Sequence, residues 1–219
     1  MSTPAIIRKP WGREYLCFRN EHVGIWALHI TAGARTSMHA HPKKNTALVV
    51  LSGAVELSFI RGEPRRMVGL DKINIFRGRF HRTRAISDAV LLEVEAPDDK
   101  RDIVRLDDDY GRAALPLEEP TEARDESCLQ IDWRPVVFAG CALQVLDPLP
   151  DPASFSEMYG HVFITLQGGL ARGLVPAGDA IDGATLSRLA SQFPPLPGSQ
   201  FLRIRRSSTN DEGRLIRRT

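Results

Sequence analysis

At 219 residues, 42% hydrophobic and 26% charged, the chain is long enough to bury a core without disulfide or metal staples. Its 29 lysines and arginines against 27 aspartates and glutamates leave a formal charge of +2, which argues against nucleic acid or a membrane surface as partner. Cys17, Cys128 and Cys141 are odd in number and far apart, excluding a disulfide framework and a cysteine zinc site. The first residues lack the apolar stretch of an export signal, and no run approaches about 18 apolar residues, so the expectation is a cytoplasmic protein.

Residues 23–30, 46–51, 54–59, 72–76 and 89–95 are short β-type runs rich in Val, Ile, Leu and Phe. They recur near every ten residues with turns at Gly33, Gly53 and Gly78, which predicts a mainly β sandwich or barrel. Residues 96–126 are charged and proline-bearing and read as a surface excursion and linker. A boundary near Pro120 divides the chain into a first domain, 1–118, and a second, 119–219. In the second, 135–138, 161–166 and 201–205 are strand-like. Between them Leu186, Leu189, Ala190 and Phe193 recur at helical spacing, after Asp182-Gly183 and before Pro194-Pro195. The basic residues 207–219 read as a frayed tail.

His39 and His41 are two apart, so on an extended strand both side chains leave one face, and Pro42 limits the strand. His81 follows the turn at Gly78 and opens another strand. Three neutral imidazoles, bonding at about 2.0–2.1 Å, suit a divalent Zn, Fe, Ni, Mn or Co ion and leave positions open.

The run Gly33, His39, His41, Thr46, Gly53 resembles the first signature motif of the cupin superfamily, and Phe76-Arg77-Gly78-Arg79-Phe80-His81 resembles the second. Within that superfamily, Lys9-Pro10-Trp11-Gly12-Arg13-Glu14, Leu92-Glu93-Val94-Glu95-Ala96 and residues 101–112 (RDIVRLDDDYGR) are similar to segments of the type II phosphomannose isomerase domain. The likeness spans about residues 8–113. It implies a jelly-roll, double-stranded β-helix barrel for 1–118, a metal on the three histidines, and aldose–ketose isomerisation of a sugar phosphate. Two positions depart from the pattern: Thr46 stands where the superfamily has a glutamate ligand, and Phe76 where it has proline. The first departure leaves a bound ion with its full charge, a stronger Lewis acid held less tightly.

Lys43 and Lys44 follow the histidine pair, and Arg77, Arg79, Arg82 and Arg84 surround His81, a cationic rim suited to an anionic small molecule. Strand alternation turns Arg82 and Arg84 outward, leaving Lys44, Arg77 and Arg79 as candidates for substrate binding. An isomerase also needs a base, and Glu93 and Glu95, two apart on one strand face, are the catalytic candidates. Against this stands the plainer reading that these glutamates pair with surface arginines. The second domain is expected to be a smaller α+β module or a degenerate cupin-like half, since His161 and Gly168 repeat the spacing of Thr46 and Gly53. Exposed strand edges favour a homodimer. Two alternatives to the isomerase or epimerase stay open: a three-histidine iron dioxygenase, and a non-catalytic module that binds a sugar or acid.

Overall fold

The computed structural model describes residues 5–112, 122–123, 127–147, 149 and 158–208. The alternating runs of the first hundred residues form β1 (Ala5–Lys9), β2 (Gly12–Arg19), β3 (Gly24–Ile30), β4 (Met38–Ala40), β5 (Asn45–Ser52), β6 (Ala54–Phe59), β7 (Arg65–Val68), β8 (Lys72–Ile75), β9 (His81–Ala85) and β10 (Ala89–Ala96). Two more follow, β11 (Val104–Asp107) and β12 (Glu122–Ala123). They pair as a seven-stranded central sheet, β12-β1-β2-β3-β10-β5-β8, and a five-stranded front sheet, β11-β4-β9-β6-β7. Trp26, Leu28, Leu48 and Val50 of the central sheet pack between the layers against Val55, Leu57, Met67 and Ala85 of the front sheet. The result is a barrel of double-stranded β-helix type closed around an interior.

Turn chemistry sets the strand positions. Gly53, at φ +79°, lies so close to the 88–89 backbone that a Cβ would fall 2.2 Å from the Asp88 carbonyl oxygen. Gly78, at φ +77°, donates its amide to the His41 carbonyl at 2.8 Å. That bond ties the turn before His81 to the strand bearing the histidine pair, and the left-handed backbone there favours glycine.

Beyond the barrel lie β13 (Val136–Phe138), β14 (Cys141–Leu146), β15 (Val162–Gln167), β16 (Ala180–Asp182), α1 (Gly183–Ala190) and β17 (Gln200–Arg206). These strands form one back sheet in the order β13-β14-β17-β15-β16. The Asp182 carboxylate accepts the Thr185 amide at 2.8 Å and caps α1. Leu186 and Ala190 turn inward onto Phe163 and Phe201, with Leu189 and Phe193 beside them. The other face of the back sheet, with Leu143, Val162, Ile164, Leu202 and Ile204, packs on Tyr15, Ile25, Ala27, Val49, Leu92 and Val94 of the central sheet. One apolar core therefore joins front-half and back-half residues.

The 97–112 part of the charged stretch differs from the expected linker. It lies across one end of the barrel and adds β11 to the edge of β4. Within it Lys100 meets the buried Glu93 and Glu95 and Asp102 binds the amides of residues 43 and 44, a tertiary arrangement that composition does not encode. Pro120 itself and the tail from 209 onward lie outside the described residues.

Candidate metal centre

His39 is the register partner of His81 across β4 and β9, and His41 follows His39 by one pleat. All three side chains enter the barrel interior, and His39, His41 and His81 are 8%, 6% and 2% exposed. Each ring is anchored through Nδ1 by a backbone carbonyl: Ser37 for His39 at 2.9 Å, Asp102 for His41 at 2.6 Å and Arg79 for His81 at 3.0 Å. With Nδ1–H donated outward, each Nε2 keeps a lone pair, the tautomer a metal ligand requires. The ligand atoms lie within 4.8 Å of one another, so they fit within about 2.8 Å of a common centre, against roughly 2.0–2.1 Å for a Zn–N bond. The Nε2 of His41 is buried and makes no hydrogen bond. An orphaned acceptor in such a cluster fits a cation.

The imidazoles are kept neutral. Burial, with the neighbouring His81 and His41, holds His39 well below the ordinary imidazole range. Burial and the Lys44 charge push His41 down to about 4, and burial lowers His81.

The cleft beside the histidines is lined by Trp11, Leu28 and Ile103, by Glu14, Glu93 and Glu95, and by Lys9, Lys44, Lys100, Arg105 and Arg112 among others. Its free interior space is about 70 Å³ and it opens to solvent, so it holds the reacting end of a small molecule rather than enclosing one whole. Its glutamates come from the alternation of β10: Leu92 and Val94 face the back sheet, so Glu93 and Glu95 point into the barrel. Lys100 Nζ lies 2.9 Å from both Glu93 Oε2 and Glu95 Oε1 and 3.7 Å from Glu14 Oε1. Lys44 Nζ lies 2.9 Å from Glu95 Oε2 and donates to the Asp99 carbonyl at 2.7 Å. The contacts at Glu95 are charge contacts, since neither of its oxygens has a hydrogen bond of good angle.

These surroundings push the two glutamates apart. Burial opposes the charge on Glu93, but Lys100, with His41 and Lys44, holds it well below the usual carboxylate range. Glu95 is raised, by burial first and by the Glu93 charge, against the pull of Lys100 and Lys44. Lys100 is raised far above an ordinary ammonium because Glu14, Glu93 and Glu95 outweigh its burial.

Of the residues singled out from sequence, the structure thus brings together His39, His41, His81, Glu93, Glu95 and Lys44. The glutamates pair with interior lysines rather than surface arginines. Lys44 spends its ammonium on Glu95 and Asp99. Arg77 and Arg79 are not brought to the cleft: the 76–80 turn projects outward, Arg77 is exposed, and the Arg79 guanidinium stacks 3.6 Å over Phe59. Sequence reasoning assigned no role to Glu14, Lys100 or Asp102. The Asp102 carboxylate accepts the amides of Lys43 and Lys44, each at 2.9 Å, fixing the turn after His41. Glu14 and Asp102 lie inside two of the three segments that carried the sequence resemblance, which was the available signal; Lys100 lies in none of them.

No protein-family model matches the chain, and no curated protein is similar to it in sequence. Solved structures similar to it include KdgF from Halomonas sp., 18% identical with a TM-score of 0.40, covering 42% of this chain and 86% of that one. A conserved protein with a double-stranded β-helix domain from Klebsiella pneumoniae is 17% identical with a TM-score of 0.40, covering 48% of this chain and 81% of that one. The capsular polysaccharide assembling protein CapF from Staphylococcus aureus is 17% identical with a TM-score of 0.42, covering 48% of this chain and 34% of that one. No described helix is long and apolar enough to cross a membrane.

Proposed function

We propose that the barrel is a metal-dependent isomerase or epimerase that moves a proton on a small anionic sugar derivative such as a sugar phosphate. The observation that carries this reading is the convergence of three neutral, carbonyl-anchored imidazoles, two of which, His39 and His41, line a cleft with the ionised carboxylate of Glu93. His39, His41 and His81 would hold a divalent transition metal, which when bound supplies Lewis acidity to a substrate carbonyl or hydroxyl oxygen. Glu93 takes and returns the proton at its carboxylate oxygen, kept in the basic form by Lys100. Glu95, fully buried, acts on substrate only through Lys100. Trp11, Leu28 and Ile103 restrict water, and Lys9, Arg105 and Arg112 supply positive charge along the cleft.

Untagged protein is analysed by elemental mass spectrometry beside His81→Ala; about one ion per chain is expected in the first and loss in the second. The metal-loaded protein is then incubated in D2O with a panel of aldose and ketose phosphates. Deuterium uptake beside the carbonyl, abolished by Glu93→Gln, is the expected result, whereas metal binding with no exchange in any panel member rejects the isomerase. Thr46 favours a second reading: buried, with Oγ1 unbonded, it leaves three neutral ligands, a set suited to iron with room for substrate and O2. Turnover that stops under anaerobic conditions selects the dioxygenase.

A further inference from the structure

We infer that Lys100 is a positioning residue that keeps Glu93 beside the metal rather than on it. This rests on the reading of the three imidazoles as a metal centre. Glu93 shares the cleft with His39 and His41, and its charge acts on all three imidazoles. Thr46, the register partner of Glu95 across β5 and β10, offers no carboxylate, so a dication on the histidines keeps its full charge. Carboxylates are good ligands for such ions, and an ionised one in this cleft is drawn to them.

What opposes that is the 2.9 Å contact of Lys100 with Glu93 Oε2. The ammonium is itself held from three other sides: Glu95 Oε1 at 2.9 Å, Glu14 Oε1 at 3.7 Å and the Trp26 ring at 4.3 Å. Lys44 pins Glu95 from behind, so the arrangement is a row of alternating charges, Lys44, Glu95, Lys100, Glu93. Within that row the Lys100 side chain is 24% exposed and that of Lys44 0%, which places Lys100 at the cleft surface. Glu93 therefore remains a base instead of becoming a fourth ligand.

Cobalt(II) alone is the probe, titrated into metal-free, untagged protein and followed by visible absorption. Lys100→Met is expected to bind cobalt at least about tenfold more tightly than wild type, with weaker, shifted d–d bands as a ligand is added. Lys100→Arg keeps the wild-type spectrum, and Glu93→Gln combined with Lys100→Met loses both changes. Lys9→Met removes a cleft charge that sits 3.4 Å from Glu14, and it leaves the spectrum unchanged if contact with Glu93, not the general field, is responsible. An unchanged spectrum in Lys100→Met, or an equal shift in Lys9→Met, overturns the inference. If circular dichroism shows Lys100→Met unfolded, Glu95→Gln with Lys100→Met, which strands one buried carboxylate fewer, is judged by the same criteria. Wild-type protein that takes up no cobalt overturns the metal reading itself, a separate failure.

Discussion

The two faces of the central sheet divide the work of the molecule within single strands. On β10, Leu92 and Val94 face backward into the core shared with the back sheet, while Glu93 and Glu95 face forward onto the lysines of the cleft. A forward face carrying three carboxylates and their counter-ions contributes little net stability, because desolvating charges offsets much of their attraction. The backward face is apolar on both sides and stabilises by burial, at roughly 1.5–3 kcal/mol for each fully buried aliphatic side chain. The polar wall of the cleft is therefore held in place by packing that belongs to the other side of the same strands.

The largest expected effect tests that division directly. Leu92, fully buried on the backward face, is expected to cost about 2–5 kcal/mol as Leu92→Ala, read from urea unfolding, with cobalt affinity unchanged in the folded protein. Unfolding is expected as one transition by both tryptophan fluorescence and circular dichroism, since front and back halves share a core. Affinity falling in step with stability would break the separation of the faces. Next in size is Asp102→Ala, which strips the acceptor from the Lys43 and Lys44 amides and loosens the carbonyl that orients His41. A loss of about 10–100-fold in cobalt affinity is expected, with partial recovery in Asp102→Asn, measured by competition with a chelator.

The same division explains what could be read from the chain. Short apolar runs bounded by turn residues made β5, β6 and β10 legible, and the spacing of His39 and His41 put both on one strand face. The inward direction of Glu93 and Glu95 was also visible in alternation. Their partners were not, because Lys44 to Glu95 spans β5 and β10 and Lys100 to Glu14 spans most of the barrel. Lys100 and Asp102 sit in a run, Pro97 to Asp102, whose composition is that of an exposed loop, and only the fold turns those charges inward. Chain order placed Arg77 and Arg79 near His81, and the Arg79 carbonyl does hold that ring; that its guanidinium stacks on Phe59 rather than lining the cleft is set by the fold, which chain order does not show. The joining of β13–β17 to the back of the barrel left no mark beyond strands apolar on both faces, such as residues 47–51.

The smallest expected effect concerns protons. Three imidazoles at the ordinary value of 6.5 would release about two protons to solvent on binding a dication at pH 6. Here burial has already removed them: His41 titrates near 4 and His39 and His81 are lowered too. Calorimetry of cobalt binding at pH 6 in buffers of different ionisation enthalpy should therefore register fewer than those two protons released, with affinity weakening as the pH falls further. Linkage gives the stability of metal-free protein a related dependence. A histidine whose folded value is depressed binds more protons when unfolded, so its contribution is complete above about 6.5 and is lost as the pH falls below that. His29, on the backward face, is also pushed down to about 4, by burial and the Arg13 charge, yet it meets Tyr15 and Phe138 rather than the cleft. His29→Gln should accordingly flatten part of the acid loss of stability while leaving the proton count of cobalt binding unmoved. A change in that count would mean that the two faces are electrostatically one.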